Sequence, residues 1–132
     1  PGRRFCWHFD NNDYTITVMT QAPEGGGIFE FCPNLRSADD QRFAAVTGVL
    51  QGDRRAVRQL TLRPGDLQIF YGRNSLHRVT RVEGDRERHT VIFAYVEDPL
   101  RLGSVERTQR IYGRVHPRHL AAAAEARSRD AL

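Results

Sequence analysis

Phe5-Cys6-Trp7-His8-Phe9-Asp10-Asn11-Asn12-Asp13, followed directly by Tyr14-Thr15-Ile16-Thr17-Val18-Met19-Thr20-Gln21, is the stretch from which both the fold and the chemistry are read. Residues 4–10 read as a strand, and on a strand residues i and i+2 point to the same face. His8 and Asp10 therefore converge. Asn11-Asn12-Asp13 is a turn cluster. Residues 14–21 alternate apolar and hydroxyl side chains, the period-two pattern of a half-buried strand. A third metal-type donor, His77, lies far downstream in Asn74-Ser75-Leu76-His77-Arg78-Val79. An isolated His-x-Asp is commonly a surface pair. Joined to a distant histidine on another strand-like run, it becomes a two-histidine, one-carboxylate facial triad, which fills three positions of an octahedral ion and leaves three open.

The remaining runs are short and separated by turns. Pro23 and Glu24 lead into Gly25-Gly26-Gly27, a loop able to bring backbone close to a ligand. Residues 28–32 read as a strand ended by Pro33. Ser37 with Asp39-Asp40 signals a helix start, and Phe43, Val46, Val49 and Leu50 fall at helical spacing, which predicts a helical insert over 38–50 closed by Gly52. Strands follow at 56–62, 67–71, 76–82 and 87–96, with turns at Arg63-Pro64-Gly65-Asp66, Gly72-Arg73-Asn74 and Glu83-Gly84-Asp85. Many short strands with frequent turns predict a mainly β, antiparallel double-stranded β-helix, or jelly roll. After Pro99 the pattern becomes helical, over Ser104–Ile111 and Pro117–Arg129. The expected organisation is a catalytic core over 1–98 and a helical extension over 99–132.

The 132 residues suit one domain. No apolar run is long enough for a membrane helix, and no secretory signal pattern opens the chain. The formal charge of +4 rests on arginine alone, because the chain has no lysine. The arginines are scattered among acids, so nucleic acid is not the expected partner. Cys6 and Cys32, flanked by apolar residues, read as buried thiols of a cytoplasmic protein. Trp7 and the phenylalanines read as core.

The order His8-x-Asp10, His77, Arg88-x-Thr90 resembles the Fe(II)- and 2-oxoglutarate-dependent dioxygenases. The segments Trp7 to Thr15, Gly25 to Phe31 and Ser75 to Val79 are more similar to the branch that hydroxylates and halogenates free amino acids. The resemblance covers residues 5 to about 98 and implies Fe(II), 2-oxoglutarate and O2 as the reacting set. It implies that His8, Asp10 and His77 hold the metal. Arg88, eleven residues after His77, would grip the distal carboxylate of 2-oxoglutarate with Thr90 beside it. In related halogenases a small residue stands at the position of Asp10; a carboxylate there implies hydroxylation. Asn11, Asn12, Asp13, Glu30 and Arg73 are the substrate candidates, with the acids suiting a cationic amino acid. The resemblance also implies an upstream segment of the same protein. A cupin-type metal-binding module without oxygenase activity is the alternative, since Pro64-Gly65-Asp66 ahead of His77 resembles the second cupin motif. Arg88 has no purpose in that alternative.

Overall fold

The alternation in residues 14–21 does form a strand, but with its polar side inward. Thr15, Thr17 and Met19 are buried, whereas Ile16 and Val18 are only half-buried. The computed structural model describes residues 5–98, 100 and 102–130. Its elements are β1 (Phe5–His8), β2 (Tyr14–Gln21), β3 (Gly25–Gly26), β4 (Phe29–Cys32), α1 (Phe43–Leu50), β5 (Arg58–Leu60), β6 (Leu67–Phe70), β7 (Leu76–Val79), β8 (Val82–Glu83), β9 (His89–Tyr95), α2 (Val105–Tyr112) and α3 (Pro117–Asp130). The chain divides into two compact units, Pro1–Tyr95 and Val96–Leu132. Arg4, where the first strand was expected to begin, and the expected boundary at Pro99 lie outside the described residues.

All strand pairing is antiparallel. One sheet has the order β1-β7-β4-β5, a second β6-β2-β9, and β3 pairs with β8. The protein is mainly β, with three short helices, and no closed barrel forms among the described residues. The first sheet separates two environments by its pleat. His8 lies opposite His77, and Phe31 opposite His77, so these side chains share one face. Cys32 and Leu76 lie opposite one another on the other face, where they form a small core with Val49, flanked by Trp7, Phe9, Val46 and Val57. Helix α1 thus covers the face that the histidines do not use. The two larger sheets meet through the Phe29 and Phe70 rings, 5.0 Å between centroids.

On the second sheet the inward face carries Thr15, Thr17, Met19 and Gln68, all buried. Its outward face carries Leu67, Ile69, Val91 and Phe93, all exposed.

Several local expectations are corrected. Helix α1 starts at Phe43 rather than 38, because Ser37 Oγ accepts from the Asp40 N–H and Asp40 Oδ1 accepts from the Arg42 N–H. These bonds close a turn that competes with helix. Strand 76–82 breaks into β7 and β8. Gly25-Gly26 is not a free loop but pairs with Val82–Glu83. Phe43 is 77% exposed and Phe5 64%, so the phenylalanines are not uniformly core. Cys32 is buried but Cys6 is exposed; both are free thiols. Burial pushes the Cys32 thiol above its ordinary value.

In the second unit, Ser104 caps α2 by accepting from the Arg107 N–H, and Gly113 in the left-handed region ends it. His119 Nδ1 lies 2.8 Å from the Gly103 carbonyl. No described helix is long and apolar enough to cross a membrane.

Candidate metal centre

Strand β1 ends at His8, so Asp10 is not carried by the strand. It is turned toward the histidines by the chain beyond it, where its N–H bonds the Gly72 carbonyl at 3.0 Å. Gly72 is required there. A Cβ at that position would lie 2.0 Å from Asp10 Oδ2, so only glycine leaves room for the carboxylate.

The three side chains converge. Asp10 Oδ1 is 3.6 Å from His8 Nε2 and 3.5 Å from His77 Nε2. One donor atom from each of the three residues lies within 4.8 Å of the others. Adjacent donors around an octahedral ion with bonds of about 2.1 Å are about 3 Å apart, so a modest inward movement completes the site. Each imidazole is oriented by its other nitrogen. His8 Nδ1 is 2.7 Å from the Cys6 carbonyl, and His77 Nδ1 is 2.8 Å from the Ser75 carbonyl. A carbonyl only accepts, so each Nδ1 carries a proton and each Nε2 faces Asp10. His77 is the buried member, with its side chain 5% exposed and its ring against Phe29 and Phe70.

The carboxylate is held from behind. Thr15 donates its hydroxyl to Asp10 Oδ2 at 2.7 Å, and Asn12 Nδ2 donates to Thr15 Oγ1 at 2.8 Å. Burial by itself would raise the Asp10 pKa, but its contacts with His77 and Thr15, and the His77 and His8 charges, outweigh that and hold it below the ordinary value. Asp10 is thus ionised and Oδ1 is available. His8, Asp10 and His77 form a group able to hold a metal ion, a donor set that fits Fe(II).

The other sequence candidates are placed as follows. Arg88 stands one residue before β9, half-buried, with its Cδ against Gly27, where a Cβ would come within 2.9 Å. Its Nε is buried and has no hydrogen-bond partner. Burial lowers its pKa. Thr90 follows on the same face, half-buried and opposite Met19. Asn11 is exposed and offers its carbonyl to Arg73 Nη1 at 3.2 Å. Asp13 is buried, with Oδ1 3.3 Å from the same nitrogen. Asn12 acts on Thr15.

Glu30 is not brought to this cluster. It lies opposite Arg78, on the sheet face turned away from His77, and is 3% exposed. Arg54 and Gln59 donate to its Oε1, and Arg78 Nε donates to its Oε2 at 2.6 Å. Arg78 in turn lies over the Trp7 ring, 4.7 Å from the centroid. The acid expected to meet a cationic substrate is satisfied inside the chain.

Thr15 and Gly72 were not singled out from sequence. The signal for Thr15 is its place on the hydroxyl side of an alternating strand. Gly72 carried no signal beyond its turn.

With this geometry in place, comparison with protein families is decisive. The halogenase D model matches residues 1–113. The chain belongs to the halogenase D family. Family membership and the His8–Asp10–His77 group together point to an iron-binding oxidoreductase. No curated protein matches the chain.

Proposed function

We propose that this chain is a non-haem iron oxygenase that uses 2-oxoglutarate and O2 to hydroxylate a C–H bond of a small polar substrate, a free amino acid. The observation that carries the reading is Asp10, whose Oδ1 lies 3.5–3.6 Å from both ring nitrogens while Thr15 and Gly72 hold its other side. An octahedral ion with three protein donors keeps three positions. A chelating 2-oxo acid and O2 need three between them, so a halide would have none.

The fit of the co-substrate is supported by Arg88. A buried guanidinium nitrogen without a partner is costly, and a carboxylate relieves it through a charge-assisted bond. Iron with 2-oxoglutarate and O2 supplies the oxidising power, the 2-oxo acid leaving as succinate and CO2. The chain's own contribution is orientation. The Cys6 and Ser75 carbonyls fix the two imidazoles, Thr15 fixes the carboxylate, and Phe29 and Phe70 shield His77 from water. The two facing antiparallel sheets support a jelly-roll arrangement for this core.

Succinate formation is the test, measured with Fe(II), 2-oxoglutarate and lysine, arginine, ornithine or alanine, in the presence of chloride. The expected result is substrate-stimulated succinate and a product heavier by one oxygen atom. A chlorinated product would overturn the role given to Asp10. Slow succinate release that no amino acid stimulates would retain the oxygenase and remove the amino acid.

A further inference from the structure

Next to the turn that carries Gly72 lies a cleft of about 350 Å³ whose lining includes Arg36, Gln41, Tyr71, Arg73 and Asn74. Two guanidinium groups face one small volume, and none of these residues is acidic.

Arg36 is the unusual member. Its Nε donates to the Arg73 carbonyl at 2.9 Å, its Nη1 to Gln41 Oε1 at 3.2 Å, and its plane lies 3.8 Å over the Phe9 ring. All three partners are neutral. No carboxylate among the described residues lies within ion-pair distance of it. Arg73 meets Asp13 and the Asn11 carbonyl through a single nitrogen, Nη1, at the long end of the hydrogen-bond range. A guanidinium has five N–H donors, so donors remain on both side chains. Burial, and then the charge of Arg73, hold the Arg36 pKa below its ordinary value. A half-buried cation beside a like charge, with only neutral partners, is relieved by an anion.

Two residues of the cleft's surroundings adjoin the metal centre along the chain. Phe9, under the Arg36 plane, immediately precedes Asp10. Gly72, whose carbonyl takes the Asp10 N–H, immediately precedes Arg73.

We propose that Arg36 and Arg73 clamp a carboxylate, the carboxylate of a small amino-acid substrate. The assignment deepens the oxygenase reading and rests on it for the identity of the substrate, but it concerns binding alone. Planar guanidinium forks match a carboxylate in shape as well as charge. Asp13, bound to Arg73, keeps that fork in place without neutralising Arg36.

The test is calorimetric titration of iron-free protein with L-lysine and L-alanine, their methyl esters, 2-oxoglutarate and inorganic phosphate. The free amino acids are expected to bind at least tenfold more tightly than the esters. Arg36→Gln and Arg73→Gln should each weaken the acids by roughly 10–100-fold and leave the esters unchanged. Arg36→Lys should recover part of the loss. Affinity for 2-oxoglutarate should respond to Arg88→Ala and not to Arg36→Gln. Thermal melting of each variant separates lost binding from lost fold. Equal binding of acid and ester would overturn the clamp, as would an unchanged Arg36→Gln variant that melts normally, or phosphate binding as tightly as the amino acids. Absence of binding by every probe would overturn it too. Arginine-dependent binding without succinate formation in the iron-loaded protein would keep the clamp and remove the oxygenase.

Discussion

Glu30 and Asp10 are both carboxylates withdrawn from solvent, reached from opposite faces of one four-stranded sheet. Glu30 receives bonds on both oxygens, from Arg54 and Gln59 on one and Arg78 on the other. Asp10 receives a hydroxyl on Oδ2, while Oδ1 faces the Nε2 atoms of His8 and His77. The first carboxylate is complete without any ligand. The second stands in a group of donors able to hold a cation. The same contrast separates the arginines: Arg54 and Arg78 are paired to Glu30, whereas Arg88 has a buried nitrogen without a partner and Arg36 has only neutral hydrogen-bond partners. Buried polar groups that the chain leaves unmatched mark where ligands enter, and matched ones mark where the fold is held.

His77→Ala breaks the comparison most severely. It leaves two donors and is expected to lower Fe(II) affinity by more than about 100-fold, beyond the effect of losing an outer hydrogen bond. Anaerobic metal titration reads it.

Glu30→Gln should do the reverse, costing stability but not metal. Loss of one partner from a buried, partly solvated ion network is worth about 2–3 kcal/mol, read as a fall in the urea midpoint, with Fe(II) affinity unchanged. The pH dependence follows. Burial alone would raise the Glu30 pKa, but the bonds from Arg54, Gln59 and Arg78 outweigh it and leave it below its ordinary value. A lowered folded-state pKa means that the unfolded chain binds the proton more readily. The stabilisation is therefore present above about pH 4.5 and is lost as pH falls through the folded value. Acid unfolding of Glu30→Gln should lack that component. An acid-unfolding curve identical to wild type would place the stabilisation elsewhere.

Arg88→Ala sharpens the comparison among the arginines. The Michaelis constant for 2-oxoglutarate should rise by roughly 10–100-fold, the effect of a charge-assisted contact of about 1.5–3 kcal/mol, with Fe(II) affinity unchanged. An unchanged constant would move the role to another guanidinium.

Thr15→Val has the smallest expected effect. It removes the hydroxyl behind Asp10 in a nearly isosteric side chain and should weaken metal binding by about tenfold, the lower end of the range for outer-shell partners. No change would mean that Gly72 alone fixes Asp10.

The metal group was legible because its evidence is local and chemical. His8 and Asp10 are two residues apart, and His77 stands on its own apolar run. The reason given for their convergence was incomplete, since β1 stops at His8 and the Gly72 carbonyl turns Asp10 inward. Glu30 was misread because the face of a strand depends on register, and a shift of one residue exchanges the two faces. Only the pairing of Phe31 with His77 puts Glu30 on the other side. The inward hydroxyls of β2 were hidden by the same rule in a different form. Apolar residues usually face the core, but Thr15 and Thr17 line the interior while Leu67, Ile69, Val91 and Phe93 stay exposed. The late start of α1 came from Ser37 and Asp40, whose helix-start chemistry equally serves a turn. The Arg36–Arg73 cleft was out of reach, because its two halves are 37 residues apart and meet only through backbone and ring contacts.

Anaerobic Fe(II) titration of the wild-type chain beside His8→Ala and His77→Ala tests the central claim most directly. The account predicts one ion per chain in the wild type, released as pH falls and the ligands take up protons, and none held by either variant at the same free metal concentration. A wild type that binds no Fe(II), or histidine variants that bind it as tightly as wild type, would contradict it.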